Sequence, residues 1–183
     1  MKKVVLSVVI FLSVVLIVLR FLPTAINKYL GAEDKAGIKV LSQPQDSQVF
    51  MDGKELGKTP YENQELSAGE YTLKLQNNNL SWQGQVFLNA GAVTIVNRDL
   101  SADAVFSTGE VLTLEPGKGV IVVSKPDNAE VEIDGKFYGK TPTTAELSSG
   151  EHTINISLGN YIKRSVRVYL PENYKLVVNV ELA

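Results

Sequence analysis

The residues with the most evident capacity for chemistry are Gly139-Lys140-Thr141, in the stretch VEIDGKFYGKTP over 131–142. The same words stand upstream as VFMDGKELGKTP over 49–60. A glycine, a lysine and a threonine hydroxyl in succession are parts of a loop that cradles nucleotide phosphates on backbone N–H groups. The spacing does not suit that use. The motif G-x-x-x-x-G-K-[ST] places one residue more between its glycines than the three enclosed by Gly135 and Gly139, or by Gly53 and Gly57. It also requires a helix to begin at the lysine, whereas Pro60 and Pro142 bias the preceding threonine toward extended backbone. A β-hairpin accounts for the residues better. Val131 and Ile133 face a core, Asp134-Gly135 turns the chain through glycine's access to positive φ, and Tyr138 begins the return. No nucleotide is expected to bind.

Other reactive side chains support the same conclusion. His152 is the only histidine, and the position matching it in the upstream copy is Tyr71, so a strand position explains it better than catalysis. Ser67 and Ser149 lie in ELSAG and ELSSG, where Glu65 and Glu146 occupy the place of a nucleophile elbow's leading glycine. Glu130 and Glu132 share a strand face, as glycosidase carboxylates can, yet Gln48 and Phe50 match them upstream, which points to a solvated face. Asp52 and Asp134 give one carboxylate per hairpin, a turn former and not a calcium loop. Trp82 suits a core or edge position better than a sugar platform. With no cysteine, disulfides, thiolate nucleophiles and cysteine-ligated metals are excluded. No catalytic, cofactor-binding or metal-ligating residue is expected.

The elements that carry these residues occur twice. At an offset of 82, Val40, Ser42, Pro44 and Val49 match Val122, Ser124, Pro126 and Val131, and Gly57–Pro60 matches Gly139–Pro142. One residue is lost after the prolines and the register then recovers, so that Val86, Asn97 and Leu100 match Val168, Asn179 and Leu182. Within each copy short alternating runs, such as YTLKL and HTINI, put Leu73 and Leu75, or Ile154 and Ile156, toward one core. Turn signals separate these runs and no helical period follows residue 37. The expected fold is all-β: two tandem small antiparallel β-sandwich domains of six or seven strands, over 37–100 and 119–183, preceded by one N-terminal transmembrane helix. The linker 101–118 contains the hydrophobic GEVLTLE, 109–115, expected as an edge strand of either domain. About 64 residues per copy is marginal for independent stability, so packing between copies is expected.

The repeated pattern P-x-x-A/S-x-V-x-[IM]-D-G-K-x-x-G-K-T-P followed by L-S-x-G-E-[YH] resembles the PEGA domain family over nearly the whole of both copies. At the family's Pro-Glu-Gly-Ala stretch this chain has Pro44-Gln45-Asp46-Ser47 and Pro126-Asp127-Asn128-Ala129. The replacements for glycine, Asp46 and Asn128, are of the types that best tolerate left-handed backbone. The resemblance implies extracytoplasmic, non-catalytic β domains appended to surface proteins, and it carries over no catalytic residue.

Residues 4–22 form an apolar run after Lys2-Lys3, interrupted only by Ser7, Ser13 and Arg20. As a helix it would rise roughly 28 Å, close to the ~30 Å hydrocarbon core. No candidate cut after Ala25, Gly31 or Ala32 has a small residue at its −3 position, so an uncleaved signal anchor is expected, with the β domains on the extracytoplasmic side of the cell membrane. A net charge of −2 with scattered lysines and arginines argues against a nucleic-acid partner. The expected role is a membrane-anchored surface protein whose paired domains act as spacer or binding modules, for a cell-wall or surface carbohydrate or an envelope protein. The alternatives are a hydrolase or nucleotide-using enzyme built on Gly-Lys-Thr, and a sensor or assembly component of an envelope complex.

Overall fold

The computed structural model describes residues 35–103 and 106–183. The expected membrane span over 4–22 lies outside the described residues, and among those described no helix is long and apolar enough to cross a membrane.

The described residues are all-β. The first copy contributes β1 (Lys35–Gln43), β2 (Gln48–Met51), β3 (Lys54–Lys58), β4 (Tyr61–Ser67), β5 (Gly69–Asn77), β6 (Leu80–Leu88) and β7 (Val93–Asp99). Strand β8 (Thr108–Pro116) follows in the linker. The second copy repeats the set as β9 (Val120–Lys125), β10 (Glu130–Ile133), β11 (Lys136–Lys140), β12 (Thr143–Ala145), β13 (Gly150–Ser157), β14 (Arg164–Leu170) and β15 (Tyr174–Glu181). Asp52-Gly53 and Asp134-Gly135 adopt consecutive positive φ values of 48° and 80°, and of 51° and 80°. This is the primed turn whose twist matches a two-stranded ribbon. The return strand begins at Lys136, two residues before the expected Tyr138. Asp46 and Asn128 take φ of 57° and 63°, as their side chains allow, and Pro44, Pro60, Pro126 and Pro142 each follow a cis peptide bond.

The sheets are not purely antiparallel. In each copy the first and last strands pair in parallel, β1 with β7 and β9 with β15. The reason is topological: four of the five strands between them build a second sheet, a crossover long enough to bring the chain back in the same direction. Those second sheets run β3-β2-β5-β6 and β11-β10-β13-β14. The remaining strands of both copies join one seven-stranded sheet, β12-β9-β15-β8-β7-β1-β4.

Strand β8 lies at the centre of that sheet and not at an edge. It pairs antiparallel with β7 on one side and β15 on the other, filling the hydrogen-bonding edge that each copy would otherwise leave open. Successive residues of a strand point to opposite faces. On β8, Val111 packs against the core of the first copy, which includes Ile38, Val40, Leu73, Leu75 and Val86. Its neighbour Leu112 belongs to the core of the second, with Val122, Val131, Ile154, Ile156 and Val178. The two small sheets therefore cover opposite faces of the shared sheet.

Candidate functional site

The Gly-Lys-Thr segments show what their residues do. Lys58 and Lys140 end the return strands β3 and β11 with exposed side chains, and β12 follows, so no helix N-terminus is presented. Thr141 is buried. Its hydroxyl accepts from the backbone N–H of Ala129 at 3.0 Å and shares a hydrogen bond with Ser124 at 2.5 Å, while Ser124 also donates to the Pro126 carbonyl. Thr59 repeats the arrangement with the N–H of Ser47 at 3.1 Å and with Ser42 at 2.7 Å. Each hydroxyl latches the hairpin's end to the proline turn that leads into it.

His152 is equally occupied. Its Nδ1 lies 2.6 Å from Asp134 Oδ2 and its Nε2 2.9 Å from the Ser148 carbonyl. Both partners are acceptors, so both ring nitrogens must donate, which favours the imidazolium. The hydrogen bond to Asp134 raises the His152 pKa above its ordinary value, and the same bond, with one from the Thr153 N–H, lowers that of Asp134. Neither nitrogen remains to serve as a base. In the first copy Tyr71 takes this place and donates to the Ser67 carbonyl at 2.8 Å. Glu132 accepts from Asn155, across the strand pair, at 3.1 Å. Among the described residues no group of His, Cys, Asp and Glu is arranged to hold a metal ion.

The charged groups that sequence reasoning missed converge where the copies meet. Arg98 on β7 is buried and donates to Glu181 at the end of β15 in the other copy. The same Glu181 oxygen accepts from Trp82 Nε1 at 3.3 Å, and the Arg98 guanidinium stacks 4.3 Å over the indole. Burial pushes the Arg98 pKa down, while Glu181 opposes the shift. The mirror arrangement uses the equivalent positions: Arg164, which matches Trp82, reaches Asp99, which matches Glu181, at 2.5 Å, and Glu110 on β8 at 2.6 Å. Burial alone would lower the Arg164 pKa, and its hydrogen bonds to Glu110 and Asp99 raise it instead. Asn97 completes the cluster by donating to Glu110 at 2.6 Å. Each copy thus clasps the other's last strand. The signal in the sequence is an arginine at an inward position of the alternating run VTIVNRD, where the second copy has Val180.

Trp82 is a core tryptophan, its ring covered by Arg98 and Gly84. Beside it runs a groove of about 280 Å³ between the edge strand β6 and the strands β8, β15 and β9.

The PEGA domain model matches residues 36–102 and again 118–183. The chain belongs to the PEGA domain family. Strand β8, which ties the two PEGA domains into one sheet, falls in the gap between the matched segments. No curated protein matches the chain. Among solved structures it is similar to the Bacillus anthracis TIE protein at 14% identity and a TM-score of 0.31. That match covers 82% of this chain but spans only 34% of the other, and its TM-score is too low to establish a shared fold. PEGA domains are generally non-catalytic, and Thr59, Thr141 and His152 of this tandem are engaged in structural hydrogen bonds.

Proposed function

We propose that this PEGA tandem is a non-enzymatic surface module that stands off from the cell membrane as one stiff two-domain unit, anchored through its apolar N-terminal run. The observation that carries the reading is the seven-stranded sheet passing through both domains, with β8 hydrogen-bonded to each. A flexible joint would leave the edges of β7 and β15 open; here both are paired, so the two domains move together. Family membership and the commitment of Thr59, Thr141 and His152 to structural hydrogen bonds also support a non-catalytic role. The enzyme alternative built on Gly-Lys-Thr has no supporting geometry, because the threonine hydroxyl is sequestered and no helix follows.

Location is tested by labelling intact cells with a membrane-impermeant amine reagent. The exposed Lys54, Lys58, Lys136 and Lys140 are expected to react without lysis, and the protein to sediment with membranes until detergent is added. Labelling only after lysis would overturn the surface reading.

A further inference from the structure

The two PEGA domains differ just ahead of β5 and β13. In the first, β4 runs to Ser67, and Leu66 and Ser67 pair with Ala36 and Lys35 of β1. In the second, β12 stops at Ala145. Gly117 and Lys118, which match Lys35 and Ala36, are used instead to turn the chain from Pro116 at the end of β8 to Val120 at the start of β9. Gly119 completes that turn at a φ of 81°, and a Cβ there would overlap the Ala145 carbonyl oxygen. Residues 146–149 are left outside any strand. Leu147, Ser148 and Ser149 form one wall of a hollow of about 320 Å³, lined on its other sides by Lys118, Gly119 and residues 170–174.

Leu147 and Ser148 anchor this wall. Leu147 packs, half-buried, against the core of the second domain, and the Ser148 carbonyl accepts from His152 Nε2 at 2.9 Å. The Ser148 and Ser149 side chains are exposed, and Gly150, at a φ of 137°, has open space where a Cβ would stand. The corner has room to swing outward. His152 lies on the inward face of β13, opposite Val168 of β14, while Glu151, Arg167 and Tyr169 point to the other face. Asp134, from the turn between β10 and β11, is the charged group in contact with the ring. Glu146, Lys118 and Glu172, on the surrounding loops, are exposed and make no hydrogen bond to it.

While the imidazole is charged, both of its contacts are hydrogen bonds. Once it is neutral only one nitrogen carries a proton, and the Asp134 carboxylate is the stronger acceptor, so the proton stays on Nδ1. Nε2 then presents a lone pair to the Ser148 carbonyl. Two acceptors face each other, and the carbonyl regains a partner by turning toward water. In the first domain the Tyr71 hydroxyl donates to the Ser67 carbonyl at 2.8 Å, and a phenol keeps its proton to about pH 10. The matching corner there has no such release.

We propose that His152 is a proton-operated catch on the 146–149 wall, closed when the ring is charged and released when it is neutral, so that the hollow of the second domain widens. Release frees one corner and leaves the strands paired, which distinguishes it from unfolding. The His152 pKa is raised above 6.5 while both bonds are in place, so the catch is closed below pH 6.5 and opens as pH rises through the raised value. This adds a conditional element to a module otherwise read as stiff, and it holds wherever the chain resides.

The chain has no cysteine and one histidine, so a single introduced thiol and the one imidazole report without ambiguity. Ser149→Cys, and separately Ala68→Cys at the matching exposed corner of the first domain, each carry a nitroxide label in the full-length protein in detergent, while the His152 ring is titrated by NMR. At position 149 the ratio of mobile to immobile label is expected to rise roughly 10-fold or more across the His152 titration, the size of effect that loss of a hydrogen bond from a charged donor produces. At position 68 no change is expected. His152→Tyr, which copies Tyr71, should keep the labelled corner closed at every pH, and His152→Phe should leave it mobile at every pH. Should the phenylalanine variant fail to fold, the tyrosine variant decides. A label at 149 that ignores the titration, an equal response at 68, a rise with pH that persists in His152→Tyr, or an immobile corner in folded His152→Phe would overturn the proposal.

Discussion

At the scale of single residues, the repeated threonine before proline is a structural hydroxyl that reads in sequence like a phosphate ligand. Thr141→Val removes the acceptor for the Ala129 N–H and the partner of Ser124, both in a buried setting. The expected loss is about 1–3 kcal/mol of unfolding free energy, measured in urea. Lys140→Ala, at an exposed neighbour, should change stability by no more than about 0.5 kcal/mol. Equal losses would argue against the latch. His152 predicts a pH dependence of stability that originates in the second domain. Its folded pKa is raised above 6.5, so the stabilisation is fully present below pH 6.5 and is lost as pH rises through the raised value. Asp134, lowered from 3.8, contributes above that value and loses its contribution as the solution is acidified. The pair therefore stabilises most in mildly acidic solution. Denaturant midpoints across neutral pH should fall with rising pH in the native protein, and His152→Tyr, which copies the arrangement at Tyr71, should remove that fall.

At the scale of elements, the hairpins and turns are legible in the sequence, because Asp-Gly between alternating apolar runs specifies both the turn type and the face each side chain takes. Burial of Val49, Leu73, Leu75, Val131, Ile133, Ile154 and Ile156 follows from that alternation. The place of β8 is not legible there. A hydrophobic run states that it will be covered, and says nothing about which strand edges cover it. Gly109 shows how tightly this strand is held: its φ is 145°, and an added Cβ would overlap the Asn97 carbonyl oxygen and lie 3.0 Å from the Arg98 Cδ. The missing side chain lets the Arg98 stem cross β8 to reach Glu181. Gly109→Ala should cost about 2 kcal/mol or more, and near-normal thermal unfolding of that variant would contradict the crossing.

At the scale of the whole molecule, sharing one sheet predicts that the two domains unfold together. Calorimetry should show a single transition whose calorimetric and van't Hoff enthalpies agree. Leu112→Ala opens a cavity in the second domain's core from a strand that also serves the first. It is expected to lower stability by about 2–5 kcal/mol without splitting the transition, whereas two resolved transitions would mean that the domains are energetically separate.

The amino-acid sequence by itself determined the duplication, the all-β class, the turn geometry and the inward positions, because these depend on contacts between near neighbours and on a period of two. Only the tertiary structure decided the parallel pairing of first and last strands, the central position of β8 and the clasp of Arg98, Glu181, Arg164 and Asp99. The clasp's pairs Arg98–Glu181 and Arg164–Asp99 join residues 83 and 65 positions apart, and nothing in local pattern says which distant strand edges will meet. The groove beside Trp82 exists only because they do.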